Sequence, residues 1–179
     1  MPHVLVLLIL ALAPLRMALT DDCPANLDFR MRPLASDRAE SLCERYAGKV
    51  LLVVNTASQC GFTPQYQGLD ALYDRYRKQG LVVLGFPSND FAQEPGGEKD
   101  IQNFCRLNYG VRFPMYEKIG VSSAAAHPFY HQLAAGGDGY PQWNFYKYLL
   151  DRNGVVVALF PSRTRPDDPQ LIAAIEQLL

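Results

Sequence analysis

Residues 49–64 read K-V-L-L-V-V-N-T-A-S-Q-C-G-F-T-P, and this stretch decides the fold. Lys49 to Thr56 is a short, nearly unbroken apolar run, the pattern of a strand buried on both faces. The loop that follows carries Cys60. From Gln65 to Lys78 the apolar residues fall at Tyr66, Leu69, Leu72, Tyr73 and Tyr76, a helical spacing. Gly80 stands where a C-capping glycine belongs. Leu81 to Phe86, L-V-V-L-G-F, is a second buried strand. Strand, loop, helix and strand in that order predict a parallel pair joined by a right-handed crossover.

Downstream of this unit, Pro87 to Gly97 reads as a loop punctuated by Pro95, Gly96 and Gly97. Glu98 to Asn108 reads as a helix with Ile101, Phe104 and Leu107 turned inward. Phe113 to Ile119 suits a short strand and Pro128 to Ala134 a short helix. Trp143 to Leu150 and Val155 to Phe160 are strand-like, and Asp151-Arg152-Asn153-Gly154 between them is a hairpin signal. Asp167 to Leu179 closes the chain as an amphipathic helix with Leu171, Ile172, Ile175 and Leu178 on one side. Upstream, Leu27, Phe29 and Met31 alternate with polar residues, a short edge strand ended by Pro33. The order is that of an α/β domain of the thioredoxin-like fold, a central mixed sheet flanked by helices, with an insertion in its middle.

The chain has 179 residues, enough for one domain with a full core. Its 17 basic and 18 acidic residues leave a net charge of −1 with no basic stripe, which argues against a nucleic-acid partner. Val4 to Pro14 is almost entirely apolar. That length suits a signal-peptide core and falls short of the roughly 20 residues a bilayer span needs. Residues 1–20 are therefore expected to be a signal peptide and residues 21–179 a single secreted or periplasmic domain.

Four cysteines follow: Cys23, Cys43, Cys60 and Cys105. In an exported chain they permit two disulfides with three connectivities. Cys23 and Cys43 lie beside the export segment and ahead of every chemical motif. A structural bridge between them would close a loop of about 20 residues and stabilise by roughly 3 kcal/mol on the chain-entropy model; two free, buried thiols are the alternative. Cys60 sits between a buried strand and a helix, as in C-x-x-C redox proteins, but with Thr63 in the fourth place. Backbone N–H groups at a helix N-terminus favour a thiolate, the nucleophile that attacks a peroxide O–O bond.

The words around Cys60 go further. Asn55-Thr56-Ala57-Ser58-Gln59-Cys60-Gly61-Phe62-Thr63, then Leu84-Gly85-Phe86-Pro87-Ser88-Asn89-Asp90-Phe91, Gln93-Glu94-Pro95-Gly96, and Trp143-Asn144-Phe145 with Lys147-Tyr148-Leu149 resemble the signature blocks of the glutathione peroxidase family. The resemblance runs in the family's order from about Gly48 to the C-terminus. It implies a peroxidase that reduces hydrogen peroxide and organic or lipid hydroperoxides, with Cys60 as the peroxidatic residue. By the same resemblance Gln93, Trp143 and Asn144 complete a catalytic tetrad. The family usually has one more residue between its equivalents of Asn89 and Gln93. All three side chains can donate hydrogen bonds to a sulfur anion and to a peroxide.

Cys105, in F-C-R-L-N-Y-G-V-R-F-P, lies close to where cysteine members of the family carry a resolving cysteine, which condenses with the sulfenic acid and is then reset by a thioredoxin-like dithiol. Its helix would have to unwind locally to meet Cys60. Ser88 stands where many relatives have cysteine, and the segment Val121 to Gln142 lacks the insertion of tetrameric, glutathione-using members. The resemblance thus implies a monomer with a protein reductant, and no cofactor. His127 and His131 are spaced i, i+4 around Pro128 with no further ligand nearby, so no metal is expected. Arg163 and Arg165 could contact an anionic substrate or partner. The competing readings are an exported thiol-disulfide oxidoreductase and a one-cysteine peroxidase using glutathione.

Overall fold

The structure, a computed structural model, describes residues 23–123 and 125–179. The expected leader, residues 1–20, lies outside the described residues. β1 (Arg30–Met31) and β2 (Glu40–Ser41) form a small antiparallel hairpin, followed by α1 (Leu42–Tyr46). Then come β3 (Val50–Thr56), α2 (Gln65–Tyr76), β4 (Leu81–Pro87) and α3 (Glu98–Tyr109). The chain ends with α4 (Pro128–Gly136), β5 (Lys147–Leu150), β6 (Val156–Phe160) and α5 (Pro169–Glu176).

The four-stranded sheet has the order β4-β3-β5-β6. β3 runs parallel to β4 and antiparallel to β5, and β5 antiparallel to β6, so the sheet is mixed. Side chains on β3 alternate between faces. Val50, Leu52 and Val54 pack with Tyr66 and Leu69 of α2, Ile101 of α3 and Leu171 of α5. Leu51 and Val53 point the other way, under Leu42 and Tyr46 of α1 and Phe129 and Leu133 of α4. Helices on both faces explain why β3 is buried along its whole length. This is the thioredoxin-like arrangement the element order predicts.

Four details differ from the sequence expectation. Leu107 is 75% exposed, because the inward face of α3 runs through Ile101 and Cys105, one helical repeat apart, and Leu107 lies well round the helix from both. Residues 113–119 form no strand; Met115 and Tyr116 make isolated bridges to Gly85 and Pro33. The strand expected from Trp143 starts only at Lys147, since Phe145 takes a left-handed backbone with φ +64°. Leu27 belongs to a 3-10 turn rather than to β1, though it and Met31 are both buried as the alternation requires.

The outer edge of β4 is covered. Gly85 donates to Pro114 O at 2.9 Å and accepts from Tyr116 N–H at 2.8 Å. A Cβ at position 85 would meet the Met115 thioether and the Phe113 ring, so the glycine leaves room for those two side chains. On the opposite side no strand lies beyond β6 among the described residues, and Val155 and Val157 are exposed. Cys23 and Cys43 are joined by a disulfide with Cα atoms 5.8 Å apart, tying the segment before β1 to α1. Cys60 and Cys105 are free thiols. Among the described residues no helix is long and apolar enough to cross a membrane.

Candidate active site

The loop between β3 and α2 presents Cys60, whose residue surface is 7% exposed. The N–H of Phe62 donates to Cys60 Sγ at 3.4 Å. Thr63 closes the loop from within: its hydroxyl accepts from Cys60 N–H at 3.0 Å and donates to Ala57 O at 2.8 Å. Threonine here is a structural brace in the place where a redox C-x-x-C protein carries its second sulfur. The sulfur therefore meets a backbone donor at the threshold of α2.

A second loop, from β4 to α3, brings Gln93. Asn89 to Ala92 form a turn closed by Ala92 N–H on Asn89 O at 2.8 Å, with Ala92 left-handed at φ +55°. Asn89 Oδ1 accepts from Glu94 N–H at 2.9 Å. This tight turn sets the carbonyl of Gln93 against the N–H of Gln59, 3.0 Å away and one residue from Cys60. Next to it the buried Glu94 carboxylate accepts from Ser58 Oγ at 2.9 Å. Burial raises its pKa, against the hydrogen bonds from Ser58. The cysteine loop and the glutamine loop are thus fastened at two successive residues.

Trp143 and Asn144 come from the turn before β5. Asn144 is buried, and its Nδ2 donates to Gln93 Oε1 at 2.9 Å. Trp143 is 40% exposed and lies against Phe91 with ring centroids 5.3 Å apart. Each carbonyl of the Trp143-Asn144-Phe145 turn has its own donor. Asn55 Nδ2 reaches Trp143 O at 3.0 Å, Ser162 Oγ reaches Asn144 O at 2.6 Å, and Lys147 Nζ reaches Phe145 O at 2.7 Å. Asn55 also accepts from Phe145 N–H through its carbonyl at 2.7 Å and from Tyr146 N–H through Oδ1 at 3.0 Å. A bulky residue at positive φ costs of order 1–3 kcal/mol and persists only where surroundings over-determine it; these five bonds do so. Lys147 is fully buried, and burial lowers its pKa from 10.5 to about 7.

Of the residues singled out from sequence, the structure links Gln93 to Asn144 directly and to the Cys60 loop through Gln59; Trp143 is carried there by the same turn as Asn144. Cys105 stands apart from this hydrogen-bonded set. It lies on the inward face of α3, 2% exposed, facing the Tyr66 hydroxyl, and burial pushes its thiol up to about 11. It is unbonded to Cys60, though both belong to the apolar cluster on the α2 face. Ser88 is buried and its hydroxyl accepts from Asp90 N–H at 3.3 Å. His127 caps α4, accepting from Phe129 N–H at 3.1 Å, and His131 bonds Tyr140 Oη at 2.6 Å. No cluster of three metal-ligating side chains occurs among the described residues. Sequence reasoning assigned no role to Asn55, Lys147, Glu94 or Ser162. The signal for the first two was there: an amide at the end of an apolar strand, and a lysine between Phe145 and Leu149.

The glutathione peroxidase family profile matches residues 29–134, more than half of the chain. The chain belongs to the glutathione peroxidase family. Hydroperoxy fatty acid reductase gpx1 of Synechocystis is 51% identical over 145 residues, covering 75% of this chain and 85% of that protein. A glutathione peroxidase of Lactococcus lactis is 52% identical over 128 residues, covering 69% and 82%. Among solved structures, the crystal structure of Trgpx in apo form superposes with a TM-score of 0.66 at 37% identity, covering 86% of this chain and 97% of that one. As a member of the glutathione peroxidase family this protein is a thiol-dependent peroxidase acting on hydroperoxides.

Proposed function

We propose that Cys60 is the peroxidatic residue and that Gln93, Trp143 and Asn144 donate hydrogen bonds around the sulfur and the peroxide. The observation that carries this reading is the Asn144 Nδ2 to Gln93 Oε1 bond at 2.9 Å. It uses the acceptor end of the Gln93 amide and so leaves its NH2 as the free end, next to a cysteine loop fastened to the same residue. In the first step the Cys60 thiolate attacks the distal oxygen of the hydroperoxide. An S–O bond forms, the O–O bond breaks, and the alkoxide or hydroxide leaves with a proton as alcohol or water. Cys60 becomes a sulfenic acid. Fixed donors aimed at the developing negative charge lower this barrier without reorganising.

Cys105 is the proposed resolving residue. Its thiol attacks Cys60 sulfur, an S–S bond forms, the S–O bond breaks, and hydroxide leaves as water. A thioredoxin-like dithiol then exchanges with the disulfide and is itself oxidised. Cys105 lies in the second half of α3, whose C-cap is the left-handed Gly110. Fraying from that end would free Cys105 and return its thiol to the ordinary range, where more of it is thiolate. The Synechocystis relative is named for hydroperoxy fatty acids, and we carry that substrate class, with hydrogen peroxide, to this chain. We further propose export of a monomer through residues 1–20.

Peptide mass spectrometry after one equivalent of hydrogen peroxide tests the cycle. A Cys60–Cys105 bridge in the wild type, with persistent Cys60 sulfenic or sulfinic acid in Cys105→Ser, is expected. Cys60 oxidation without the bridge would remove Cys105 from the mechanism and leave a small thiol such as glutathione as reductant. An unreactive Cys60 would sink the assignment of the site. The N-terminal residue of the protein recovered from the extracytoplasmic fraction tests export.

A further inference from the structure

Beside Cys60 a groove of about 570 Å³ runs between the start of α2 and the turn joining β6 to α5. That volume lies within the range of small-molecule sites, about 300–1,000 Å³. It starts at Gly61 and Phe62, the residues directly after Cys60, and Phe62 is the one whose N–H touches the sulfur. Phe62, Pro64, Ala71 and Pro166 give it apolar walls. Both walls are fixed. Gln65 Nε2 donates to Ser162 O at 2.6 Å, and a Cβ at Gly68 would stand 3.1 Å from the Pro166 ring. At the turn side stand three charges, Arg163, Arg165 and Asp167. Arg165 and Asp167 satisfy one another in a 2.9 Å ion pair. Arg163 is exposed and has no hydrogen bond or ion pair among the described residues, so the groove keeps one uncommitted positive charge.

An apolar trough that begins at the two residues following a peroxide-reducing cysteine and contains one spare guanidinium matches one class of molecule. We propose that the groove binds the acyl chain of a free fatty-acid hydroperoxide, with Arg163 pairing its carboxylate while the mid-chain –OOH reaches Cys60. The proposal rests on the peroxidase reading of Cys60 and adds what selects the substrate. Guanidinium suits this task because its planar fork meets a carboxylate with two parallel N–H donors. Hydrogen peroxide needs none of the groove, so discrimination among substrates would lie in these walls and leave the chemistry at sulfur unchanged.

The test compares turnover of linoleic acid hydroperoxide, its methyl ester and hydrogen peroxide by wild type, Arg163→Gln, Arg163→Lys and Ala71→Phe. Arg163→Gln should lower kcat/KM for the free acid about fivefold, the worth of one partly exposed ion pair, and leave the ester and hydrogen peroxide unchanged. Arg163→Lys should restore part of the loss. Ala71→Phe, which fills the trough, should slow both lipid substrates and spare hydrogen peroxide. An unchanged free acid with Arg163→Gln, an equal loss on the ester, or a loss extending to hydrogen peroxide would each overturn the proposal. Oleate binding by calorimetry to Cys60→Ser, with and without Arg163→Gln, separates the two readings because it needs no turnover. Weaker binding without Arg163 supports the groove even if Cys60 proved not to be peroxidatic; equal binding refutes it.

Discussion

Replacing Lys147 by methionine removes an amine from the core while keeping most of its volume, and its consequences can be worked out in advance. The amine is fully buried and burial lowers its pKa from 10.5 to about 7. Between those two pH values the unfolded chain holds a proton that the folded chain does not, so this residue makes stability rise with pH. At 1.36 kcal/mol per pH unit the full span is worth ~5 kcal/mol. Methionine removes that slope. It also removes the donor to Phe145 O, 2.7 Å away, leaving a buried carbonyl unpaired at about 1–2 kcal/mol. Lys147→Met should therefore be more stable than wild type by ~3 kcal/mol at pH 6 and less stable by only ~0.5 kcal/mol at pH 10, where a small part of the burial penalty remains. Urea unfolding of both proteins across that range measures the difference, in which the other titrating groups cancel. A difference that stays flat with pH would refute the reasoning. The same variant should lose peroxidase activity even where it gains stability, because the turn that carries Trp143 and Asn144 loses one of its bonds.

Three further outcomes follow from the geometry. Asn55→Ala unpairs Trp143 O and the N–H of Tyr146 at once; it should cost ~2–4 kcal/mol in unfolding experiments and shift the emission of Trp143, the only tryptophan in the chain. Ala92→Gly relieves a left-handed alanine at φ +55° and should raise stability by about 1 kcal/mol, read as a higher thermal midpoint with unchanged turnover; a drop would mean the Ala92 methyl packs usefully. In the reduced protein at neutral pH, Cys105 should resist iodoacetamide until mild urea opens α3, since its thiol is buried and raised to about 11. Rapid alkylation in buffer alone would contradict that burial.

The fold was legible because its centre is written in local terms. Val50 to Phe86 alternates a buried run, a helical spacing and a second buried run, and the parallel β3–β4 pair follows. Cys60, Gln93, Trp143 and Asn144 stand in recognisable words, and the segments that carry the first two are fixed by local hydrogen bonds. What stayed hidden depends on distant partners. Periodicity cannot place Leu107, because the face of α3 is chosen by the neighbours of Ile101 and Cys105. Hydrophobicity carried the expected strand through Trp143 to Tyr146, whereas Asn55, far away in sequence, holds that stretch as a turn. The groove at Arg163 needs α2 and the β6–α5 turn side by side, and no pattern along the chain announces that meeting.

The two margins of the sheet are treated unequally. Residues 114–116 lie against β4 at Gly85 and occupy hydrogen-bonding positions of that margin. Val157 of β6 and Val155 just before it face solvent, with no strand beyond β6 among the described residues. An open row of backbone donors and acceptors is a template for another chain. Growth of ordered aggregates on storage or during concentrated refolding should therefore begin at one side of the molecule. A charged residue at Val157 would guard that side while leaving the peroxide chemistry alone.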